Sequence, residues 1–64
     1  MDYRKMIKNK RLHKGYSQNK LADLVGITQP FMNEIESGRK NPSIEVLIKI
    51  CKELDIVMFQ DTGN

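Results

Sequence analysis

An all-α fold, a compact bundle of four to five short helices, is what the sequence predicts, and two observations carry that prediction. Ser17, Thr28 and Ser43 each stand where an N-cap belongs, directly ahead of helix-competent residues with apolar positions three and four apart. Gly15, Gly26 and Gly38 stand where the first three helical runs stop. The 64 residues suffice for one domain, residues 1–64, with one small core. A chain this short is marginal alone, so a second subunit is expected.

The first helix is expected at about residues 3–14, with Tyr3 and Ile7 on one face and Gly15 as its stop. Lys10 stands where a further apolar residue would have strengthened the stripe. The second helix, about residues 18–24, turns Leu21, Ala22, Leu24 and Val25 inward and Gln18, Asn19, Lys20 and Asp23 outward. Gly26 follows, where a residue without Cβ takes φ > 0 at no steric cost. The third helix, about residues 29–37, has Met32 and Ile35 as its inward pair, backed by Ile27. Pro30 falls in its first turn, where the missing N–H is harmless. The turn between these two helices is too short for antiparallel packing, so they cross steeply as a helix-turn-helix.

Ser43 caps a fourth helix, residues 44–54, with an apolar stripe of Ile44, Leu47, Ile50, Cys51 and Leu54. Val46 and Ile48 flank that stripe and widen it beyond what one small core can use, which points to a dimer interface. The tail, residues 55–64, includes a β-branched and aromatic segment at 56–60 that favours a short strand, with a short fifth helix as the alternative. A lone strand needs an edge to pair with, and a second subunit would supply it through Ile56, Val57, Met58 and Phe59.

Net charge is +3 and the pI about 9.2. Arg4, Lys5, Lys8, Lys10, Arg11 and Lys14 crowd the first helix, and Arg39 and Lys40 follow the third. Clustered cations suit a polyanion, although a solvated basic helix has the same composition. No apolar run approaches the roughly 20 residues of a membrane span, and no secretory leader is visible. Cys51 has no internal partner, which fits a reducing cytoplasm. A cytoplasmic, nucleoid-associated location is the expectation.

Once Met32 and Ile35 turn inward, Thr28, Gln29, Pro30, Phe31, Asn33, Glu34 and Ser37 form the outward face of the third helix. In a major groove, the Gln29 amide matches adenine N6 and N7, Glu34 can accept from cytosine N4, and Phe31 can pack on a thymine methyl. Phe31 reads equally well as core, and Gln29 taken alone as a solvated amide. Ser17 and Gln18 open the second helix beside free N–H groups that suit a phosphate, and the Gln18 amide can also brace Gln29. Arg39, Lys40 and Asn41 are placed to reach the same backbone, or to form a solvated turn. Arg11 and Glu36 read differently, as an internal ion pair that ties two helices together without touching a base. Catalysis has little support. His13 and Cys51 are the lone residues of their kinds, no Cys/His cluster has metal spacing, and no glycine-rich phosphate loop appears. No cofactor or metal is expected.

The residues Ile7, Arg11, Lys14, Gly15, Tyr16, Ser17, Gln18, Leu21, Ala22, Gly26, Ile27, Thr28, Met32, Ile35, Glu36, Ser37, Gly38, Arg39, Asn41, Pro42, Ser43, Leu47, Ile50 and Leu54 spell a known pattern. On them the chain resembles the lambda-repressor/Cro-like helix-turn-helix family, also called the XRE family, over nearly its whole length. The resemblance implies a lambda-repressor-like bundle that binds DNA sequence-specifically as a dimer. It implies phosphate or base contacts at Gln18, Thr28, Gln29, Phe31, Asn33, Glu34 and Ser37, and an internal pair at Arg11 and Glu36. Two departures from the pattern stand out: Lys10 replaces an apolar residue, and Val57, Met58 and Phe59 replace the start of a fifth helix. That tail looks more like antitoxin-type members whose dimers are closed by strands. The reading is therefore a non-enzymatic regulator of bacterial or phage type. It is read as a repressor that binds an inverted-repeat operator in double-stranded DNA as a homodimer. The alternative is an antitoxin that binds a toxin protein and autoregulates its operon.

Overall fold

The computed structural model describes residues 3–57. Among them are four helices: α1, Tyr3–His13; α2, Gln18–Val25; α3, Gln29–Ser37; and α4, Ile44–Leu54. The expected caps are in place. The Ser17 hydroxyl accepts from the Lys20 N–H at 2.9 Å, Thr28 from Phe31 at 3.2 Å and Ser43 from Val46 at 3.2 Å. Each satisfies one of the N–H groups that a helix start leaves without an intrahelical partner. Gly26 ends α2 at φ 79°. Asp55 closes α4 at φ 57°, the one non-glycine residue with positive φ among those described. Asp tolerates this conformation better than most side chains.

α2 packs against α3 and α4, and α1 packs against the same two helices. Ile7, Leu21, Ala22, Val25, Met32, Ile35, Ile50 and Leu54 form the core, with Tyr3, Tyr16, Ile27, Phe31, Val46, Leu47 and Ile56 packed around it. The weak stripe of α1 is resolved by Arg11. Lys10 is exposed, and Tyr3, Ile7 and Arg11, successive residues at four-residue spacing, attach the helix instead.

Several expected placements are corrected. Leu24 is 39% exposed, because Leu21, Ala22 and Val25 define an inward direction that a step of about 100° per residue leaves Leu24 well off. Ile44 is 61% exposed as the first residue of α4, ahead of the turn where Leu47 meets the core. Val46, expected to be spare, packs on the core, whereas Ile48 stays on the surface. Ile56 also packs on the core, Val57 is exposed, and neither is in a strand. Met58, Phe59 and the rest of the expected strand lie outside the described residues.

Candidate nucleic-acid interface

The N-caps set the site. Ser17 starts α2 so that Gln18 is its first residue, and Thr28 starts α3 so that Gln29 is its first. Met32 and Ile35 are fully buried, which fixes the rotation of α3 and turns Gln29, Pro30, Asn33 and Ser37 outward, all exposed. Phe31 and Glu34 flank that face and are half-buried. For Phe31 the structure favours the core side of the alternative, since its ring packs against the buried cluster.

A chain of hydrogen bonds runs from the interior to this face. Arg11 grips Glu36 with both arms of its fork, Nε to Oε2 at 2.7 Å and Nη2 to Oε1 at 3.1 Å. Its Nη1 donates to the Tyr16 carbonyl at 2.8 Å. The two side chains are only 7% and 4% exposed. Gln18 Nε2 donates to Glu36 Oε1 at 3.1 Å, and Gln18 Oε1 accepts from Gln29 Nε2 at 2.8 Å and from Asn33 Nδ2 at 3.4 Å. The expected internal pair and the expected brace on Gln29 are thus parts of one network.

Beyond α3, the backbone N–H groups of Arg39 and Lys40 both point to the Glu34 carbonyl, at 2.9 and 3.3 Å. The Ser37 hydroxyl donates to the same oxygen at 3.2 Å. This holds Arg39 and Lys40 exposed at the end of the outward face. Lys40 Nζ lies 3.6 Å from Glu34 Oε1, so the carboxylate read as a cytosine acceptor already has a cation beside it. Two residues of this region were not legible as site residues. The Tyr3 hydroxyl donates to Asn41 Oδ1 at 3.1 Å and ties the loop to α1. Arg4 lies across Gly38, where a Cβ would come within 2.6 Å of its Nη1, so α1 delivers a further cation to the end of α3. Nothing in the spacing of a lysine- and arginine-rich helix singles out Arg4 for that place.

Lys14 Nζ and Asp55 Oδ2 pair at 2.6 Å, which raises the lysine and lowers the aspartate from their ordinary ranges. Cys51 is buried, and burial pushes its thiol up, away from the reactive thiolate.

The sequence pattern of the helix-turn-helix family matches residues 7–57, four-fifths of the chain and all four helices in whole or part. The chain belongs to that family, in its lambda-repressor/Cro-like (XRE) branch. Its relatives carry matching names. YgzD of Bacillus subtilis, described as an uncharacterized HTH-type transcriptional regulator, is 40% identical over 81% of this chain and 79% of its own length. YqaF of the same organism, described in the same words, is 34% identical over 95% and 84%. The HTH-type transcriptional regulator SinR of Bacillus subtilis is 39% identical over 78% of this chain, which spans less than half of SinR, 46%. No solved structure gives a significant match. Family membership makes the chain a DNA-binding regulator and not an enzyme. Among the described residues, no helix of this family member is long and apolar enough to cross a membrane.

Proposed function

We propose that the protein represses transcription as a homodimer on an inverted-repeat operator. Each copy sets α3 in a major groove, with the two half-sites about 34 Å apart, and the bound dimer excludes polymerase. Gln29 reads adenine, with Asn33 and Glu34 further along the groove, and Thr28, Pro30 and Ser37 at its walls. Ser17 and Gln18 meet the phosphate at the start of α2, and Arg39, Lys40 and Asn41 meet the backbone at the other end. The observation that carries this reading is the position of Gln29: exposed at the first turn of α3, yet held by a 2.8 Å bond to Gln18. A side chain held before binding gives up less freedom on meeting a base.

The dimer contact is assigned to Ile48 and Val57, which remain exposed, with Met58 and Phe59 beyond them. A toxin partner would compete for the same residues. A cytoplasmic, nucleoid-associated location follows from the role. Selection of bound duplexes from a random pool, with the stoichiometry of the complex measured by sedimentation, tests the proposal. The expected result is an inverted repeat with two chains per duplex. Absence of any selected sequence, or one chain on one half-site, would overturn it.

A further inference from the structure

Glu36 gives the chain of hydrogen bonds its sense. A carboxylate paired with arginine accepts and does not donate, so the end of Gln18 facing Glu36 Oε1 at 3.1 Å is the amide nitrogen. Gln18 Oε1 is thereby turned toward α3, where it meets Gln29 Nε2 and Asn33 Nδ2. The reversed amide would set oxygen against the carboxylate and nitrogen against the two α3 amides. The same constraint passes to Gln29: one of its N–H bonds goes to Gln18, leaving one N–H and Oε1 for a base.

We infer that Glu36, held by Arg11, is a positioning residue for base discrimination: through Gln18 it fixes which amide edge Gln29 offers to the groove. The inference rests on the reading of Gln29 proposed above. Adenine presents an acceptor and a donor in the major groove, whereas guanine presents two acceptors. An amide free to rotate turns its donors to either base. An amide of fixed sense matches adenine and sets its oxygen against guanine O6. The buried pair therefore acts on sequence preference while touching no DNA.

The test uses the full chain, the selected operator, and operators altered at the base pair assigned to Gln29. Arg11→Met with Glu36→Leu removes the carboxylate without stranding a charge, a replacement that often preserves stability. Discrimination at that base pair is expected to fall from roughly 5- to 100-fold to below about threefold, with the other base pairs unaffected. Arg11→Lys keeps Glu36 as an acceptor but loses the fork, and is expected to lower the unfolding midpoint while keeping the discrimination. A purely structural pair gives the opposite pattern, discrimination lost in the weakened lysine variant and kept in the well-folded double variant, and that pattern overturns the inference. Should the double variant not fold, Arg11→Met with Glu36→Gln supplies a side chain that donates as well as accepts. It is expected to lose discrimination, and retention counts against the inference. Gln29→Ala separates the two levels. If it leaves discrimination intact, the reader assignment fails and the inference falls with it. If it abolishes discrimination while the double variant retains it, only the inference fails.

Discussion

Gln29 Nε2 donates to Gln18 Oε1 at 2.8 Å, a bond that joins the first residues of α3 and α2 across the turn between them. It makes the outward face of α3 a supported surface and not a row of independent side chains. The consequences for binding and for stability separate cleanly, because Gln29 is exposed whereas the far end of the network is buried.

Gln29→Ala is expected to relax preference at one base pair by about 1–3 kcal/mol and to leave the unfolding midpoint nearly unchanged, since surface substitutions usually fall within about 0.5 kcal/mol. Affinity for permuted half-sites and a thermal melt check the two parts. An unchanged selected sequence would remove Gln29 from the role of reader.

Arg11→Ala and Glu36→Ala each leave a buried charge without its partner. Both are expected to cost about 3–5 kcal/mol, a large part of what a domain of this size has in total. Urea unfolding followed by circular dichroism measures it. A loss under about 1 kcal/mol from either would mean that water reaches the pair in solution.

Arg39→Ala together with Lys40→Ala is expected to weaken binding to all duplexes about equally. The slope of log affinity against log salt should become shallower by roughly 0.9 for each phosphate that the variant no longer neutralises. Titrations at several salt concentrations decide it. Unequal losses across sequences would show that these cations respond to bases or groove shape, and Glu34, next to Lys40 at 3.6 Å, would then be the residue to examine.

The Lys14–Asp55 pair predicts a pH dependence with two limbs. Asp55 lies below its ordinary value of 3.8 in the fold, so its contribution is present above that value and is lost as pH falls through the lower folded one. Lys14 lies above 10.5, so its contribution is present below 10.5 and is lost as pH rises through the folded value. The difference in denaturation midpoint between the wild type and Asp55→Asn should therefore close at both extremes of pH and shrink in high salt. Asn is chosen because it tolerates the positive φ at this position. A difference independent of pH would assign the effect to the helix cap instead of the charge.

The sequence made the helix starts legible because a cap is a local device: Ser17, Thr28 and Ser43 each act on an N–H three residues ahead. The burial of Met32 and Ile35 was legible for a similar reason, since their spacing matches the helical period. The Arg11–Glu36 pair could be read because opposite charges stand at the ends of two helices that had to meet. The exposure of Leu24 and Ile44 could not, because it depends on how far neighbouring helices reach. Lys40 beside Glu34 and Arg4 across Gly38 are likewise products of tertiary placement, with no periodicity to announce them.

Cys51 sits 7% exposed on the inner side of α4, with its thiol shifted away from the ionised form. The sulfur is thus a natural reporter of opening around α4: an alkylating dye is expected to label it slowly in the folded chain and faster as that region opens. The labelling rate, compared with that of a free thiol peptide under the same conditions, would read out the population of opened chains without any engineered tag.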